Sequence, residues 1–417
     1  MITDILRVFM ARSARPFIFE SNPKYNYNLD LNAKNLGLYF HIPFCKKICP
    51  FCPYYKIEYD RSLLKNFHNA LLKEIKLVSG LAGKRKDIES IYFGGGTPAL
   101  MVDYLPEIID LVKNLFNIKG NMGIELHPRD INETLLEKLK KYGFNMISIG
   151  IQSFQDKCIS FLEREKIDSI DKLRLVKKFK FMLVDVDLIF GMPGQTKKDL
   201  TDDFIIAVEN GATQISTYPF IEFSYASIKN KPLNQKLKKQ MLESLLDISE
   251  KTGYKRSSIW TFSRDNSPRY SSVTRDNFIG FGPSAATLLK NIFKINTFSV
   301  KEYIKCLNNN KLPTALSLKF SPRTRALYWL FWSSYNLNIN RDNFYELFSK
   351  KLNDIFRFEL YWAKKFKYIE KYNSGYKLTG KGAYLFHLIE QAYTRQYIDK
   401  TWRTALNNPW PKRIILY

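Results

Sequence analysis

The sequence predicts an α/β fold, an incomplete (β/α)6 barrel or a strongly curved open sheet, followed by a small, mainly helical, winged-helix-like C-terminal domain. Two observations predict it. From Gly37 to Phe220, short β-prone runs alternate with longer segments whose apolar residues recur every three or four positions, as parallel strands with crossover helices require. The cysteine, glycine and isolated polar residues also fall just after the β-prone runs, where the loops of a parallel sheet converge on one mouth.

Six β-prone runs stand in order: Leu38–Ile42, Ser90–Phe93, Gly123–His127, Met146–Ile151, Leu183–Phe190 and Gln214–Phe220. Helical patterns separate them over Arg61–Leu77, Tyr104–Phe116, Asn132–Tyr142, a broken stretch from Gln155 to Lys180, and Lys197–Asn210. A helix over Asn234–Thr252 is expected next, then β-like pieces Ser257–Phe262 and Phe278–Gly282 that cover the open side of the sheet. The domain plan is an N-terminal extension over residues 1–36, a core with its covering segment over 37–312, and an accessory domain over 313–417. In the last part, aromatic-rich helical patterns lead to a β-like pair at Tyr368–Leu378, turning around Asn373-Ser374-Gly375, and then to a helix from Gly380.

Composition narrows the function classes. The chain has 417 residues, 45% hydrophobic and 25% charged, which excludes a disulfide-stapled miniprotein and extensive disorder. Lysine and arginine number 65 against 40 acidic residues, a net +25 that attracts phosphates, polycarboxylates or anionic lipid. Solvated surface charge is the competing reading. No RNA-binding module is recognisable near either end, so nucleic acid is not the expected partner. No run approaches the roughly 18 apolar residues that cross a bilayer, and Met1–Ser21 lacks a continuous apolar stretch or a cleavage site. A soluble, cytoplasmic protein without membrane insertion is expected; oligomeric state is not specified.

Five cysteines, an odd number, occupy positions 45, 49, 52, 158 and 306. The crowding of three into one short segment argues for metal ligation in a reducing compartment over a disulfide framework. The C-x₃-C-x₂-C spacing of Cys45, Cys49 and Cys52 puts three thiolates on one loop, able to hold three irons of a [4Fe–4S] cube and leave the fourth iron open. A zinc site completed by His41, or three incidental cysteines, are the competing readings. Zinc wants a fourth ligand at fixed geometry and gains nothing from the glycines downstream. Cys158 and Cys306 have no such context.

The segment Tyr39-Phe40-His41-Ile42-Pro43-Phe44-Cys45, continued by Cys49 and Cys52, resembles the radical S-adenosylmethionine (SAM) superfamily, in the branch containing oxygen-independent coproporphyrinogen III oxidase. The resemblance runs from about Gly37 to Ala286, with a weaker echo at Leu378-Thr379-Gly380-Lys381-Gly382. It implies a [4Fe–4S] cluster on Cys45, Cys49 and Cys52 whose open iron chelates SAM, and an electron that breaks the sulfonium bond to give a 5′-deoxyadenosyl radical. Further motifs match in order. Ile91-Tyr92-Phe93-Gly94-Gly95-Gly96-Thr97-Pro98 is similar to the glycine motif, where residues without Cβ let the backbone approach the methionine part of SAM. By the same resemblance Glu125 lies near SAM, Gln152 is a polar contact, Arg164 pairs with the SAM carboxylate and Asp187 stands close to the nucleoside. Tyr39 would stand beside SAM, while His41 and Phe51 match positions near a second SAM molecule. Ile279-Gly280-Phe281-Gly282-Pro283 resembles a late glycine element bordering the same cavity. Taken singly, Glu125 reads as a surface ion pair and His41 as a structural hydrogen-bonding group.

The chain also departs from the family. Coproporphyrinogen oxidases carry a further cysteine two residues beyond the third cluster ligand, where this chain has Tyr54. The haem-chaperone branch carries a His-Asn-x-x-Tyr-Trp motif where this chain reads Arg269-Tyr270-Ser271-Ser272-Val273-Thr274-Arg275. Class C radical SAM methyltransferases share the scaffold and use two SAM molecules, which suits retention of His41 and Phe51. The expected function is therefore methylation or related carbon transfer to an sp² carbon of an aromatic or tetrapyrrole substrate. Coproporphyrinogen oxidase-like decarboxylation is the alternative enzyme, and a haem-trafficking protein the alternative without turnover. The expected partners are an anionic small-molecule substrate, met by Arg264, Arg269 and Arg275, and an electron donor such as flavodoxin or ferredoxin.

Overall fold

Side-chain alternation sorts two chemistries onto the two faces of a parallel sheet. The computed structural model describes residues 17–21, 29, 31, 35–228, 230–264 and 276–416. Its core strands are β1 (Leu36–Ile42), β2 (Asp87–Gly95), β3 (Asn117–Leu126), β4 (Met146–Gln152), β5 (Leu183–Phe190) and β6 (Gln214–Pro219). Neighbours pair in parallel in that order. On one face Phe40, Phe93, Ile124, Ile147, Val186 and Ile215 are wholly buried, each contributing about 1.5–3 kcal/mol. On the other face the register sets Tyr39 beside Tyr92, Glu125 beside Ser148, and Asp187 between Gly150 and Ser216. Because the strand period is two, a slip of one residue would exchange the faces.

The crossover helices span Arg61–Gly80, Leu105–Leu115, Glu133–Lys141, Asp156–Phe161, Ser169–Lys178 and Lys197–Glu209. The broken stretch of the sequence is thus two helices. Side chains fix several starts: Asp60 accepts the amides of Ser62 and Leu63, Asn132 accepts Leu135, and Thr196 with Asp199 forms a reciprocal capping box.

Beyond β1 the sheet continues through Asn277–Phe281, parallel to β1, and then antiparallel through Ala286–Leu288, Ile292–Asn296, Thr314–Lys319, Phe17–Glu20 and Arg413–Leu416. Beyond β6 lie Thr261–Arg264 and Tyr254–Arg256. Among the described residues these two ends do not pair with each other, so the six core strands form an open run. Two expectations need correction. The piece Ser257–Phe262 is mostly the turn of a hairpin between Tyr254–Arg256 and Thr261–Arg264. The segment after Pro313 begins with a strand of the main sheet, not a helix, and that strand lies just past the boundary drawn at residue 312.

The C-terminal part then runs helix Pro322–Tyr335, strand Asn338–Asn340, helices Arg341–Phe348 and Arg357–Lys365, and hairpin Ile369–Tyr372 with Gly375–Leu378. Gly375–Leu378 is the middle strand of this small sheet. Trp329, Ile339, Phe344, Phe356, Leu360 and Tyr376 form its own core. Helix Gly380–Tyr393 returns to the main body, where His387 bridges Trp260 and Gln391 at 2.8 Å each. No helix among the described residues is long and apolar enough to cross a membrane.

Candidate active site

The cysteine loop is closed at its base. Phe44 and Cys45 pair with Ile57 and Glu58, so residues 46–56 project as one loop from the end of β1. Buried Phe44 anchors it edge-on against Phe67. Within the loop the Cys52 amide donates to the Cys49 carbonyl at 3.2 Å, and Lys56 Nζ donates to the Cys52 carbonyl at 2.6 Å. All three thiols are free and half-buried.

The glycine element is latched onto this loop. Gly96 donates its amide to Ile42 and Thr97 donates to Phe44, at 2.7 and 2.8 Å, and the Thr97 hydroxyl lies 3.7 Å from Cys45 Sγ. A Cβ on Gly96 would meet the Phe44 carbonyl at 2.7 Å, and one on Gly95, whose φ is +114°, would meet the His41 ring. At Gly94 it would strike Glu125. Packing within the protein therefore already demands glycine here, a reason the sequence did not display.

Tyr39 and His41 project from β1 on the same face. Nε2 of His41 lies 2.8 Å from the Tyr55 carbonyl, which can only accept, so Nδ1 is left to accept the Tyr39 hydroxyl at 3.0 Å. Burial, only partly offset by the Tyr55 bond, lowers the His41 pKa to about 4, and the ring is neutral with both nitrogens satisfied. Glu125 at the end of β3 accepts Tyr92 Oη at 2.5 Å and the Gly95 amide at 3.0 Å. Burial raises its pKa, and these two donors oppose the rise.

Gln152 ends β4 at φ +75°, in the left-handed region, where the strand register shifts. Arg164 Nη1 donates to the carbonyls of Gly150 and Ile151 at 2.6 and 3.2 Å. Burial depresses its pKa, while Cys49 and Cys52 on the facing loop favour the charged form. Asp187 accepts Ser148 Oγ at 3.1 Å, and burial, then Asp185 and Glu125, push its carboxyl well upward. Phe51 packs with Leu162, Met192 and Phe220 beside the loop.

The predicted site residues thus gather at the carboxyl ends of β1 to β5. Sequence reasoning missed their neighbours. Asp185, two residues before Asp187 and on the same face, accepts Ser216 Oγ at 2.9 Å, and burial raises its pKa to about 7. Tyr54 and Tyr218 expose 56% and 39% of their surface, yet burial leads the causes that push both hydroxyls upward, and Asp187 contributes to each. They face the lumen of the sheet and not bulk solvent. The alternation Asp185-Val186-Asp187 was a readable signal; Tyr335, reaching the same groups from the accessory part, had no local one. Arg264 stacks on Tyr254 at 5.6 Å, and Tyr254 packs against Phe204 under the helices, so Arg264 lies on the face away from the lumen. Arg269 and Arg275 lie outside the described residues.

The donor set fits an iron–sulfur cube. Burial raises the Cys45 thiol to about 11, so a thiolate there needs a cation to hold it. Cys45, Cys49 and Cys52, brought together on one short loop, are the three-thiolate set that such a cube takes.

A family model described as the Radical SAM superfamily matches residues 39–204. The haem chaperone HemW of Bacillus subtilis is 26% identical over 291 residues, covering 66% of this chain and 76% of its own. The oxygen-independent coproporphyrinogen III oxidase of Pseudomonas aeruginosa is 25% identical over 313 residues, and the chain spans about two thirds of that relative, 66%. The Helicobacter pylori enzyme of the same name is 24% identical over 399 residues, 87% of this chain and 86% of its own. In fold, the coproporphyrinogen III oxidase HemN of Escherichia coli superposes with a TM-score of 0.77 at 19% identity, over 92% of this chain and 98% of that one. The cysteine trio, the latched glycine element and the acids at the strand ends all lie within the matched segment, so residues 39–204 are a radical SAM domain, of a class that works with a [4Fe–4S] cluster and SAM, in a chain similar to HemN and HemW.

Proposed function

We propose that the enzyme directs SAM-derived radical chemistry at a small tetrapyrrole-class substrate, oxidative decarboxylation of a coproporphyrinogen-like propionate being the reaction supported best. The observation that carries it is reach: relatives named oxygen-independent coproporphyrinogen III oxidase align through the accessory part as well as the core, over 87% of this chain in the H. pylori case. Cys45, Cys49 and Cys52 would hold the cluster. When bound, the cluster and SAM supply a 5′-deoxyadenosyl radical that removes a hydrogen atom from the substrate. Gly94, Gly95 and Thr97 form the cradle for the methionine part, Arg164 offers its free guanidinium nitrogens to a carboxylate, and Asp187 and Gln152 orient the nucleoside. Glu125 fixes the cradle through Gly95, and Tyr39 is held in place by His41. Phe51 closes the apolar side of the site. The reductant is a small redox protein such as flavodoxin or ferredoxin, and the free thiols suit a reducing cytoplasm.

One observation favours a second reading, methyl or other carbon transfer to an sp² carbon with a second SAM: Tyr54, not a thiol, follows Cys52 and stands among Glu125, Cys52 and Asp187. Anaerobic cluster assembly, reduction and incubation with SAM tests both, since 5′-deoxyadenosine must form in either. Carbon dioxide from coproporphyrinogen III then supports decarboxylation, whereas S-adenosylhomocysteine with a methylated product supports transfer. A fully assembled cluster that never yields 5′-deoxyadenosine sinks both and leaves haem binding as the remaining role.

A further inference from the structure

We propose that the exposed helix and hairpin of residues 357–378, in the winged-helix-like unit, are a docking surface for single-stranded nucleic acid, separate from the radical site. The unit folds in the order helix, strand, helix, the one-turn helix Leu352–Ile355, helix, hairpin, with the last helix and the hairpin side by side at its surface. The helix Arg357–Lys365 buries Leu360 in the unit's core and leaves Arg357, Phe358, Tyr361, Lys364 and Lys365 exposed. Their spacing of three and four residues makes one stripe.

Flat rings and cations interleave along this surface. Phe358, Tyr361, Phe366 and Tyr372 are 44% to 56% exposed, an unusual gathering of large apolar surface in one small unit. From Arg357 to Lys381 the chain has seven lysines and arginines against two acids. Both acids are already paired, Glu359 with Arg323 at 2.7 Å and Glu370 with Lys377 at 3.2 Å. Lys364, Lys365, Lys367 and Lys371 have no carboxylate partner among the described residues. Lys365 lies 4.7 Å from the Trp362 ring centre and Lys381 4.9 Å from that of Tyr368, so ammonium groups and π faces are presented together.

That combination matches a polymer that alternates phosphates with stackable bases: the ammonium groups meet the backbone and the rings take the bases. An anionic membrane calls for rings on one face of a helix and cations on the other, whereas here they share a face. The sequence hid the module because each piece alone is an ordinary helix or hairpin; only the fold sets ring and cation side by side.

Fluorescence anisotropy of the full chain with labelled oligouridylate and oligothymidylate of roughly 20 nucleotides tests this. Four phosphate contacts predict binding that weakens about 50-fold between 50 and 200 mM salt. The double variant Phe358→Ala/Tyr361→Ala should bind at least about 10-fold more weakly, as should Lys364→Glu/Lys365→Glu, while Phe358→Tyr/Tyr361→Phe keeps the rings and retains affinity. Circular dichroism and 5′-deoxyadenosine formation should be unchanged in all three, which separates this surface from the radical site. Tighter binding of the RNA than the DNA probe would mark the 2′-hydroxyl as read, and equal binding would mark stacking and charge alone. Absence of binding at 50 mM salt, binding indifferent to the ring variants, or selective binding to phosphatidylserine vesicles in place of the oligonucleotides would overturn the proposal.

Discussion

Glu125 holds the backbone amide of Gly95 at 3.0 Å, one strand away, while its other oxygen accepts the Tyr92 hydroxyl. This carboxylate thus works as a brace for the glycine element that is latched, through Gly96 and Thr97, to the cysteine loop. Glu125→Gln replaces one acceptor oxygen by a donor and removes the charge, so the Gly95 amide keeps its acceptor only if the Tyr92 hydroxyl turns from donor to acceptor and both charge-assisted bonds are lost. The expected loss is about 1–3 kcal/mol of stability and at least about 10-fold in 5′-deoxyadenosine formation. Urea unfolding and single-turnover SAM cleavage measure the two effects, and wild-type cleavage in the variant would remove Glu125 from the site.

Alanine at Cys45, Cys49 or Cys52 should abolish assembly of the cluster without unfolding the chain. The thiols are half-buried and lie outside the hydrophobic core, so stability without cluster should change by no more than about 0.5–1 kcal/mol. Iron and acid-labile sulfide analysis after anaerobic reconstitution checks the first claim, and thermal unfolding of the apoprotein the second. Full iron content in any one of the three variants would contradict the ligand assignment.

Gly95 and Gly194 both lie in the left-handed region, at φ +114° and +75°, yet alanine should affect them unequally. At Gly95 the new Cβ meets the His41 ring at 2.7 Å; at Gly194 it meets nothing within 4 Å. Gly194→Ala should cost only backbone strain, about 1 kcal/mol, whereas Gly95→Ala should cost at least about 2–3 kcal/mol and displace His41. Equal urea midpoints for the two variants would show that the histidine yields freely.

Glu74 is 2% exposed and accepts Tyr303 Oη at 2.6 Å, Asn296 Nδ2 at 2.7 Å and the Gly282 amide at 2.8 Å. Burial raises its pKa from 4.5 to about 7, against these bonds and the nearby Lys294. Because the folded value exceeds the unfolded one, the folded chain keeps an extra proton between them. The resulting stability is complete below pH 4.5 and declines as pH rises to about 7, by on the order of 3 kcal/mol. Glu74→Gln, which cannot ionise, should lack that slope. Denaturant unfolding from pH 5 to 8 reads the difference, and parallel profiles for the two proteins would refute it.

The six core strands were legible because their alternation is strict, and the cysteine, glycine and acidic positions because they interrupt it at the strand ends. Other parts depend on distant partners. Ala315, Leu316 and Leu318 are buried on both sides of their strand, and such a run has no periodicity to distinguish it from a helix. Phe17–Glu20 is a strand because Arg413–Leu416 lies beside it. In the site, Tyr54 and Tyr218 look like ordinary loop and strand residues until the register places them over Asp187, and Tyr335 arrives from a different part of the chain. The two-nitrogen capture of His41 needed Tyr55, whose carbonyl no motif announces.

The pairing of Phe17–Glu20 with Arg413–Leu416 also orders events during synthesis. A ribosome delivers Phe17–Glu20 long before either of its sheet neighbours, Thr314–Lys319 and then Arg413–Leu416, so the early segment must wait for both. The parallel strands can assemble meanwhile, but this border of the sheet is finished last, and a nascent chain released early would leave it as an open seam for other chains to join.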